Sequence, residues 1–201
     1  MRFLVTSEQH AHFRKNGHVE FEALFSESDV AALTKFKGER DLMRASESVK
    51  KLALHPKLVT IVEQLLGKRR LRYGFDQLYH LPLSAPITGT LKENSSIQGV
   101  VIGMMIGVEG TSGLEPNSAT ANPLFPQAPG NVIFFSPEFV WPQEALQPEV
   151  PHPQKCWLVV YADERSQYIL QEKDPHTHLL KKQGYGFGDH LKEEHHPLII
   201  K

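Results

Sequence analysis

Apolar residues in the first third of the chain recur at helical spacing. The segment SESDVAALTKF begins at Ser26, has two acidic residues in its first turn and continues with apolar residues about three apart. Ser is a favoured N-cap and acidic side chains stabilise the start of a helix, so the pattern predicts a helix beginning after Ser26. Two more amphipathic helices are predicted from SVKKLALH and PKLVTIVEQLLGK, the latter running from Pro56 to Gly67. Before them, the alternation in GHVEF predicts a short strand.

The pattern changes after Gly67 to apolar runs short enough for buried strands. These runs are RRLRYGFDQLYHLPL, SIQGVVIGMMIGVEG, GNVIFFSPEF and KCWLVVYADERSQYIL, and the loops between them are dense in Gly, Pro, Asn and Ser. Short strands joined by such loops predict a sandwich or a barrel. The last segment is polar, with one short helix expected between His176 and Gln183 and a glycine-rich turn at Gly184.

Length and composition predict one globular domain. The chain has 201 residues, of which 40% are hydrophobic and 22% charged, with a net charge of −1. We expect residues 1–67 to form a mainly helical support, 68–170 the barrel and 171–201 a C-terminal extension. The single cysteine, Cys156, excludes an internal disulfide and favours a reducing compartment. No signal peptide pattern is present, and no apolar stretch reaches the ~20 residues that span a bilayer, so we predict a cytoplasmic protein without a membrane partner.

The helices and strands occur in an order that resembles a known family. The segment FRKNGHVEFEALFSESDVAALTKF resembles the opening of the phytanoyl-CoA dioxygenase-like proteins, and GNVIFFSPEFVW followed by KCWLVVYADERSQYIL resembles their last core strands. The whole chain is also similar to a small set of chlamydial proteins of unknown function that look like reduced members of this superfamily. The resemblance implies an α/β (α+β) fold, in which N-terminal helices support the double-stranded β-helix, or jelly-roll, of Fe(II)/2-oxoglutarate-dependent oxygenases.

Function in that family depends on a His-x-Asp/Glu pair and a distal His, which together bind iron and leave positions open for 2-oxoglutarate and oxygen. The pair is expected between residues 71 and 98, where the only histidine, His80, has no acidic residue two positions on. The one His-x-acid sequence of the chain, His18-Val19-Glu20, lies in the N-terminal strand, and we expect both polar side chains to face solvent. The distal His is expected in the corner from Ser136 to Gln143, which holds Glu138 and Trp141 but no histidine.

We therefore expect an oxygenase-like chain that has lost its iron ligands, with no catalytic or metal-binding residues at the family's positions and no cofactor. The expected role is the binding of a small molecule in the former pocket, or of a protein on the surface. From the strand positions in the resemblance, the residues expected to line the pocket are Tyr73, Asp76, His80, Trp141 and Lys155. Lys155 stands close to the position of the family's carboxylate-binding arginine, but the favoured interpretation is a solvated lysine at a strand end.

Two other functions remain open. A divergent oxygenase would bind Fe(II) and 2-oxoglutarate through an atypical set, for instance His80, Glu138 and a histidine from the tail. A metal-responsive DNA-binding repressor would use the basic cluster from Lys68 to Arg72, but the near-neutral chain makes nucleic acid an unfavoured partner.

Other reactive residues have simpler interpretations. Cys156 lies in the apolar run CWLVVY, where a thiol behaves as a buried hydrophobe. The C-terminal histidines include two close pairs, His176 with His178 and His195 with His196. Such pairs can bind a metal ion weakly at a surface, but we expect a solvent-exposed tail.

Overall fold

The computed structural model describes residues 5–67, 70–80, 88–110, 125–126, 128–141 and 155–200. The glycine- and proline-rich segment 111–124, for which a loop was predicted, lies outside the described residues, as do Lys68, Arg69 and Gln143. Within the described ranges no helix is long and apolar enough to cross a membrane.

The helices of the chain precede most of its strands. Their ranges are Ser7–Asn16 (α1), Glu27–Val30 (α2), Leu42–Ala45 (α3), Glu47–Ala53 (α4) and Pro56–Leu66 (α5), with 3-10 helices at Ala31–Leu33 and Leu180–Gln183. Ser26 caps α2 as predicted, in a capping box with Asp29. Pro56 and Gly67 bound α5 as predicted, with Gly67 in the left-handed conformation.

Two helical features differ from the prediction. The helix after Ser26 ends within two turns, because α2 passes into the 3-10 helix and the chain turns before α3. Helix α1 was not predicted. Its start is marked by a capping box in which Thr6 and Gln9 exchange hydrogen bonds, at 3.0 and 3.1 Å. The sequence carries this Thr-x-x-Gln signature, but α1 buries only Phe13 and therefore has little apolar periodicity.

Six strands form one antiparallel sheet. They are His18–Phe21 (β1), Leu71–His80 (β2), Ile97–Glu109 (β3), Val132–Phe135 (β4), Lys155–Tyr168 (β5) and Leu198–Ile200 (β6). Their order across the sheet is β1-β4-β3-β5-β2-β6. The long strands β3 and β5 shift register at several points, which curls the sheet. The predicted architecture, a curled jelly-roll sheet supported by helices, is confirmed.

Each face of the sheet has its own hydrophobic core, because side chains alternate along the buried strands. On the helix face, Trp157, Val159 and Tyr161 of β5 pack against α2–α5. On the opposite face, called here the inner face, Cys156, Leu158 and Val160 pack against other residues. The remaining members of the inner core include Phe75, Leu91, Met105, Phe135, Trp141, Leu180, Tyr185 and Leu191.

The C-terminal segment, residues 171–200, is part of the packed structure. Leu180, Tyr185 and Leu191 enter the inner core, and β6 extends the sheet beside β2. The expected exposed tail is wrong for His196, which has 0% exposure. The helix expected between His176 and Gln183 is present as the 3-10 helix Leu180–Gln183, and the turn at Gly184 is confirmed.

Candidate functional site

The five residues expected to line one pocket lie on two faces of the sheet. Lys155 precedes Cys156 of the inner core along β5, so it lies on the helix face, and His80 shares that face because it pairs with Lys155. Asp76 also lies on the helix face, because it pairs with Val159 of the helix-face core. Tyr73 also belongs to the helix-face core. Trp141 alone lies in the inner core. The structure therefore brings Tyr73 and Asp76 together but separates both from Trp141.

Asp76 is the centre of a buried polar cluster beneath α3. Its two carboxylate oxygens accept from the backbone N–H groups of Leu42 and Met43, both at 2.9 Å, from the Tyr73 hydroxyl at 2.7 Å and from the Trp157 indole at 3.1 Å. Burial raises the pKa of the Asp76 carboxyl, and these hydrogen bonds act in the opposite direction. Because all four groups donate, the cluster fits an ionised carboxylate that holds the start of α3 against β2.

Lys155 is neither solvated nor free. Its Nζ donates to the Glu109 carboxylate at 2.8 Å and to the backbone carbonyl of Thr34 at 2.5 Å, and the residue is only 9% exposed. These contacts tie β3 and β5 to the chain that follows the first 3-10 helix. His80, at the end of β2, is exposed on the same side, next to Gly38.

Trp141 lies buried among aromatic side chains of the inner face. Its ring contacts Phe135 and Tyr79 edge to face, with centroids 6.0 and 6.3 Å apart. The indole Nε1–H is buried and has no hydrogen-bond partner among the described residues. Gln77 points to the same face, since it pairs with Leu158, and its Oε1 is also buried without a partner there. The inner face thus presents one unused donor and one unused acceptor.

An ion pair closes one end of the inner face. Arg40 lies over the Phe75 ring, 3.8 Å from its centroid, and donates to Asp174 at 3.2 and 3.4 Å. Asp174 also accepts from the N–H and hydroxyl of Ser96, at 2.9 and 2.7 Å, and from the backbone N–H of His176 at 2.9 Å. With five hydrogen bonds, the Asp174 carboxylate is fully engaged in holding the C-terminal segment.

The described residues do not form a metal site. No three side chains of His, Cys, Asp or Glu in these ranges come close enough to hold one ion. The atypical set of His80, Glu138 and a tail histidine does not converge, and His18 and Glu20 lie on the edge strand β1. Cys156 is buried, and burial raises the pKa of its thiol well above the usual value.

Solved structures with the same architecture cover nearly the whole chain. The non-heme alpha-ketoglutarate-dependent carbocyclase SnoK from nogalamycin biosynthesis matches with a TM-score of 0.70, 16% identity and 96% of each chain covered. HygX from Streptomyces hygroscopicus, solved with iron bound, matches with a TM-score of 0.57, 15% identity and coverage of 96% of this chain and 99% of its own. The chain has the fold of the non-heme iron, 2-oxoglutarate-dependent oxygenases.

The oxygenase fold is also shared with CT296 from Chlamydia trachomatis, at a TM-score of 0.51 and 16% identity, over 81% of this chain and 97% of that protein. The expected likeness to this superfamily and to a chlamydial protein is therefore confirmed at the level of the fold. No protein-family sequence model and no curated protein sequence matches the chain.

Sequence reasoning missed several residues that shape the inner face of this oxygenase fold. Arg40 lies in an isolated β-bridge before α3 and Asp174 in the C-terminal segment, 134 positions away, so no local pattern connects them. Gln77 lies in the middle of β2, and the alternation of that strand places its side chain on the inner face. The signal for Gln77 was available, since a polar residue two positions from Phe75 and from Tyr79 shares their face.

Proposed function

We propose that this chain is a small-molecule-binding protein built on the oxygenase fold, and that it does not carry out iron-dependent oxidation. The observation that carries the proposal is the buried indole of Trp141 on the inner face, whose Nε1–H has no partner among the described residues. The resemblance of GNVIFFSPEFVW to the family's last strands puts Trp141 near the corner that supplies the distal iron ligand. An indole there fills space and donates one hydrogen bond, but it cannot bind iron as imidazole does.

The chemistry of the inner face indicates a class of ligand. Aromatic rings at Tyr79, Phe135 and Trp141 favour contact with a flat molecule. Within the described part of the chain, the Trp141 Nε1–H lacks an acceptor and the Gln77 Oε1 lacks a donor, so each is able to pair with a group of a ligand. A small planar compound that carries a carbonyl oxygen and an N–H group, such as a heteroaromatic amide, satisfies both.

Iron does not fit the donor set of the described residues. Two imidazoles and a carboxylate are required, whereas the described strand residues of the inner face supply apolar side chains, a phenol, the Gln77 amide and the thiol of Cys156. The segments outside the described residues add a single histidine, His152. The fold therefore supports the alternative of a divergent oxygenase, but iron binding would need a histidine that the described inner strands do not supply.

A DNA-binding repressor has less support. Arg70 pairs with Glu164 at 3.2 Å, and Arg72 is only 8% exposed because it donates to the backbone carbonyls of Glu164 and His196. Part of the basic cluster is thus used within the chain, which leaves fewer positive charges for phosphate contacts.

Metal analysis together with a turnover assay tests the loss of oxygenase chemistry. Protein purified without chelator and incubated with Fe(II), ascorbate and 2-oxoglutarate is expected to bind less than stoichiometric iron and to release no succinate above the rate of buffer with iron. Stoichiometric iron with succinate formation would establish the divergent oxygenase instead.

The two tryptophans of the chain provide a matched test of binding. Trp141 lies on the inner face and Trp157 on the helix face, so in a thermal-shift screen of planar heteroaromatic amides Trp141→Phe is expected to abolish the stabilisation by a hit. Trp157→Phe removes a hydrogen bond to Asp76 and is expected to lower the melting temperature while the ligand-induced shift persists. A hit that stabilises Trp141→Phe and the unsubstituted protein equally contradicts the proposal.

A further inference from the structure

A cavity lies where α3 and α4 face the C-terminal segment. It is an open cleft of about 670 Å3, between α3–α4 and the C-terminal segment. This volume is in the range of small-molecule sites. Its lining residues include Arg44, Ser46, Lys50, Gln183, Glu194 and His195, none of which belongs to the inner core. The cleft, called here the Arg44 cleft, is therefore separate from the proposed inner-face site.

Arg44 is a cation held in a fixed orientation at the Arg44 cleft. Its guanidinium donates to the Asp41 carboxylate at 3.0 Å, to the backbone carbonyl of His195 at 3.2 Å and to the Nε2 of His196 at 3.3 Å. Its Nε is buried and has no partner in the part of the chain that the structure describes. A fixed guanidinium with an unpaired N–H is suited to a carboxylate, which accepts charge-assisted hydrogen bonds.

The opposite wall of the Arg44 cleft has the complementary chemistry. Gln183 lines that wall, and its Oε1 is buried without a partner among the described residues. Glu193 and Glu194 stand beside it, and Glu193 already accepts from the backbone N–H of Leu198 at 3.0 and 3.2 Å. The amide oxygen of Gln183 and the carboxylate of Glu194 are groups that accept from an ammonium.

Four buried polar atoms of the described residues have no hydrogen-bond partner, and they divide between two places. Gln77 Oε1 and Trp141 Nε1 lie on the inner face, whereas Arg44 Nε and Gln183 Oε1 belong to residues of the Arg44 cleft. Buried polar groups are nearly always paired, so Arg44 and Gln183 are the lining residues whose side chains gain a hydrogen bond by turning towards a ligand in the cleft.

We propose that the Arg44 cleft binds a small zwitterion, a free amino acid or a dipeptide, with its carboxylate on Arg44 and Lys50 and its ammonium on Gln183 and Glu194. Lys50 is exposed on α4 and adds a second positive charge on the wall that carries Arg44. Glu47 lies on the same wall as Arg44 and Lys50, so the cleft is lined by groups of both signs, which favours a ligand that carries both. An anion alone would meet the acidic wall, and a cation alone would meet Arg44.

Calorimetric titration of the full chain with amino acids and dipeptides at low salt tests this proposal. Binding is expected to weaken at least tenfold when the amine of the best ligand is acetylated, and likewise when its carboxyl is amidated, because each change removes a charged hydrogen-bonding group. Free amino acids and dipeptides are compared as separate arms, which shows the size of ligand that the cleft accepts.

Two neighbouring lysines of α4 provide the matched variants. Lys50 lines the Arg44 cleft and Lys51, also exposed, does not. Lys50→Gln is expected to weaken binding about threefold and Lys51→Gln to leave it unchanged, as for one exposed ion pair. Trp141 does not line the Arg44 cleft, so Trp141→Phe is expected to leave this binding intact and the two sites can fail independently. Absence of millimolar binding by every zwitterion, or equal effects of both lysine substitutions, would overturn the proposal.

Discussion

The two indole N–H groups of the chain have different environments. Trp157 donates to Asp76 at 3.1 Å, whereas the Trp141 N–H has no partner among the described residues. A buried donor without a partner costs about 1–3 kcal/mol. Trp141 therefore occupies the inner face at a cost that its aromatic contacts offset, and a ligand that accepts from this N–H would remove the penalty.

His196 is a neutral imidazole whose protonated nitrogen can be assigned. Its Nδ1 lies 2.8 Å from the carbonyl oxygen of Gly74, which only accepts, so Nδ1 carries the hydrogen. Its Nε2 consequently accepts from Arg44. Burial, with Arg44 close by, lowers the pKa of His196 to about 3. Protonation would put a second positive charge against Arg44.

The buried His196 predicts a loss of stability in mild acid. Its pKa is about 3 in the folded protein and about 6.5 when unfolded, so the unfolded chain binds the extra proton between these values. The contribution of neutral His196 to the free energy of unfolding is complete above pH 6.5, and below that pH it falls by about 1.4 kcal/mol per pH unit. Urea unfolding at pH 7, 6 and 5 is expected to show that His196→Asn, although less stable at pH 7, loses less stability on acidification than the unsubstituted protein.

The raised pKa values of Asp41 and Asp76 change stability with pH in the opposite direction to His196. A carboxyl with a raised pKa in the folded protein stabilises the fold at low pH, and this stabilisation is lost as the pH rises through that pKa. Both carboxyls are present in each protein, so the comparison of the two pH profiles isolates His196. His195→Asn, at the half-buried neighbouring position, serves as the control and is expected to keep the steeper profile. Parallel profiles for His196→Asn and the unsubstituted protein would exclude the mechanism.

At the scale of single elements, strand β2 was predictable from the sequence, but the face on which each of its side chains lies was not. Simple alternation puts Tyr73 on the same face as Phe75 and opposite Asp76. The register shifts between Tyr73 and Phe75, and this bulge brings Tyr73 onto the helix face with Asp76. A bulge depends on the partner strand β5, so the sequence of β2 alone does not reveal it. The buried strand itself was predictable, but the faces of its side chains were not.

The close contact between β3 and β4 depends on a glycine. A Cβ added at Gly103 would overlap the ring of Phe135 and lie 2.9 Å from Cδ2 of Leu91. Both neighbours are buried in the inner core, so they have little room to move. Gly103→Ala is expected to destabilise the protein by about 1–3 kcal/mol through overpacking, measured by denaturant unfolding.

The matched control for Gly103→Ala is Gly186→Ala, where the nearest atom to an added Cβ is 3.6 Å away. This change is expected to stay within about 0.5 kcal/mol of the unsubstituted protein. If the two substitutions had the same effect, packing at the β3–β4 contact would not be what requires a glycine.

For the molecule as a whole, hydrophobic patterning predicted much of the fold and little of the site. The strands β3, β4 and β5 each contain an apolar run, and α5 has a clear start and end in the sequence. The C-terminal segment is polar on average, because it presents only isolated side chains such as Leu180, Tyr185 and Leu191 to the core. Such a segment has no period to recognise, so its place against the sheet had to come from the structure.

Two leucines test whether the C-terminal segment contributes to global stability. Leu180 is 7% exposed in the inner core, whereas Leu170, just after β5, is 54% exposed. Leu180→Ala is expected to cost about 2–5 kcal/mol in the free energy of unfolding, and Leu170→Ala less than about 0.5 kcal/mol. An unchanged unfolding midpoint for Leu180→Ala would mean that the segment opens independently of the sheet.

The order of the strands has a consequence for how the chain reaches this structure. Among the pairings of the six described strands, only β3 with β4 joins strands that are consecutive along the chain. Strand β1 pairs with β4, which is more than 100 residues later in the chain, as in the pair His18 and Phe135. Such non-local pairing requires large loops to close before contacts form, which places folding on a scale of roughly milliseconds to seconds. During synthesis, β1 and β2 emerge long before their partners, so their unpaired edges are where chaperones or premature association would act first.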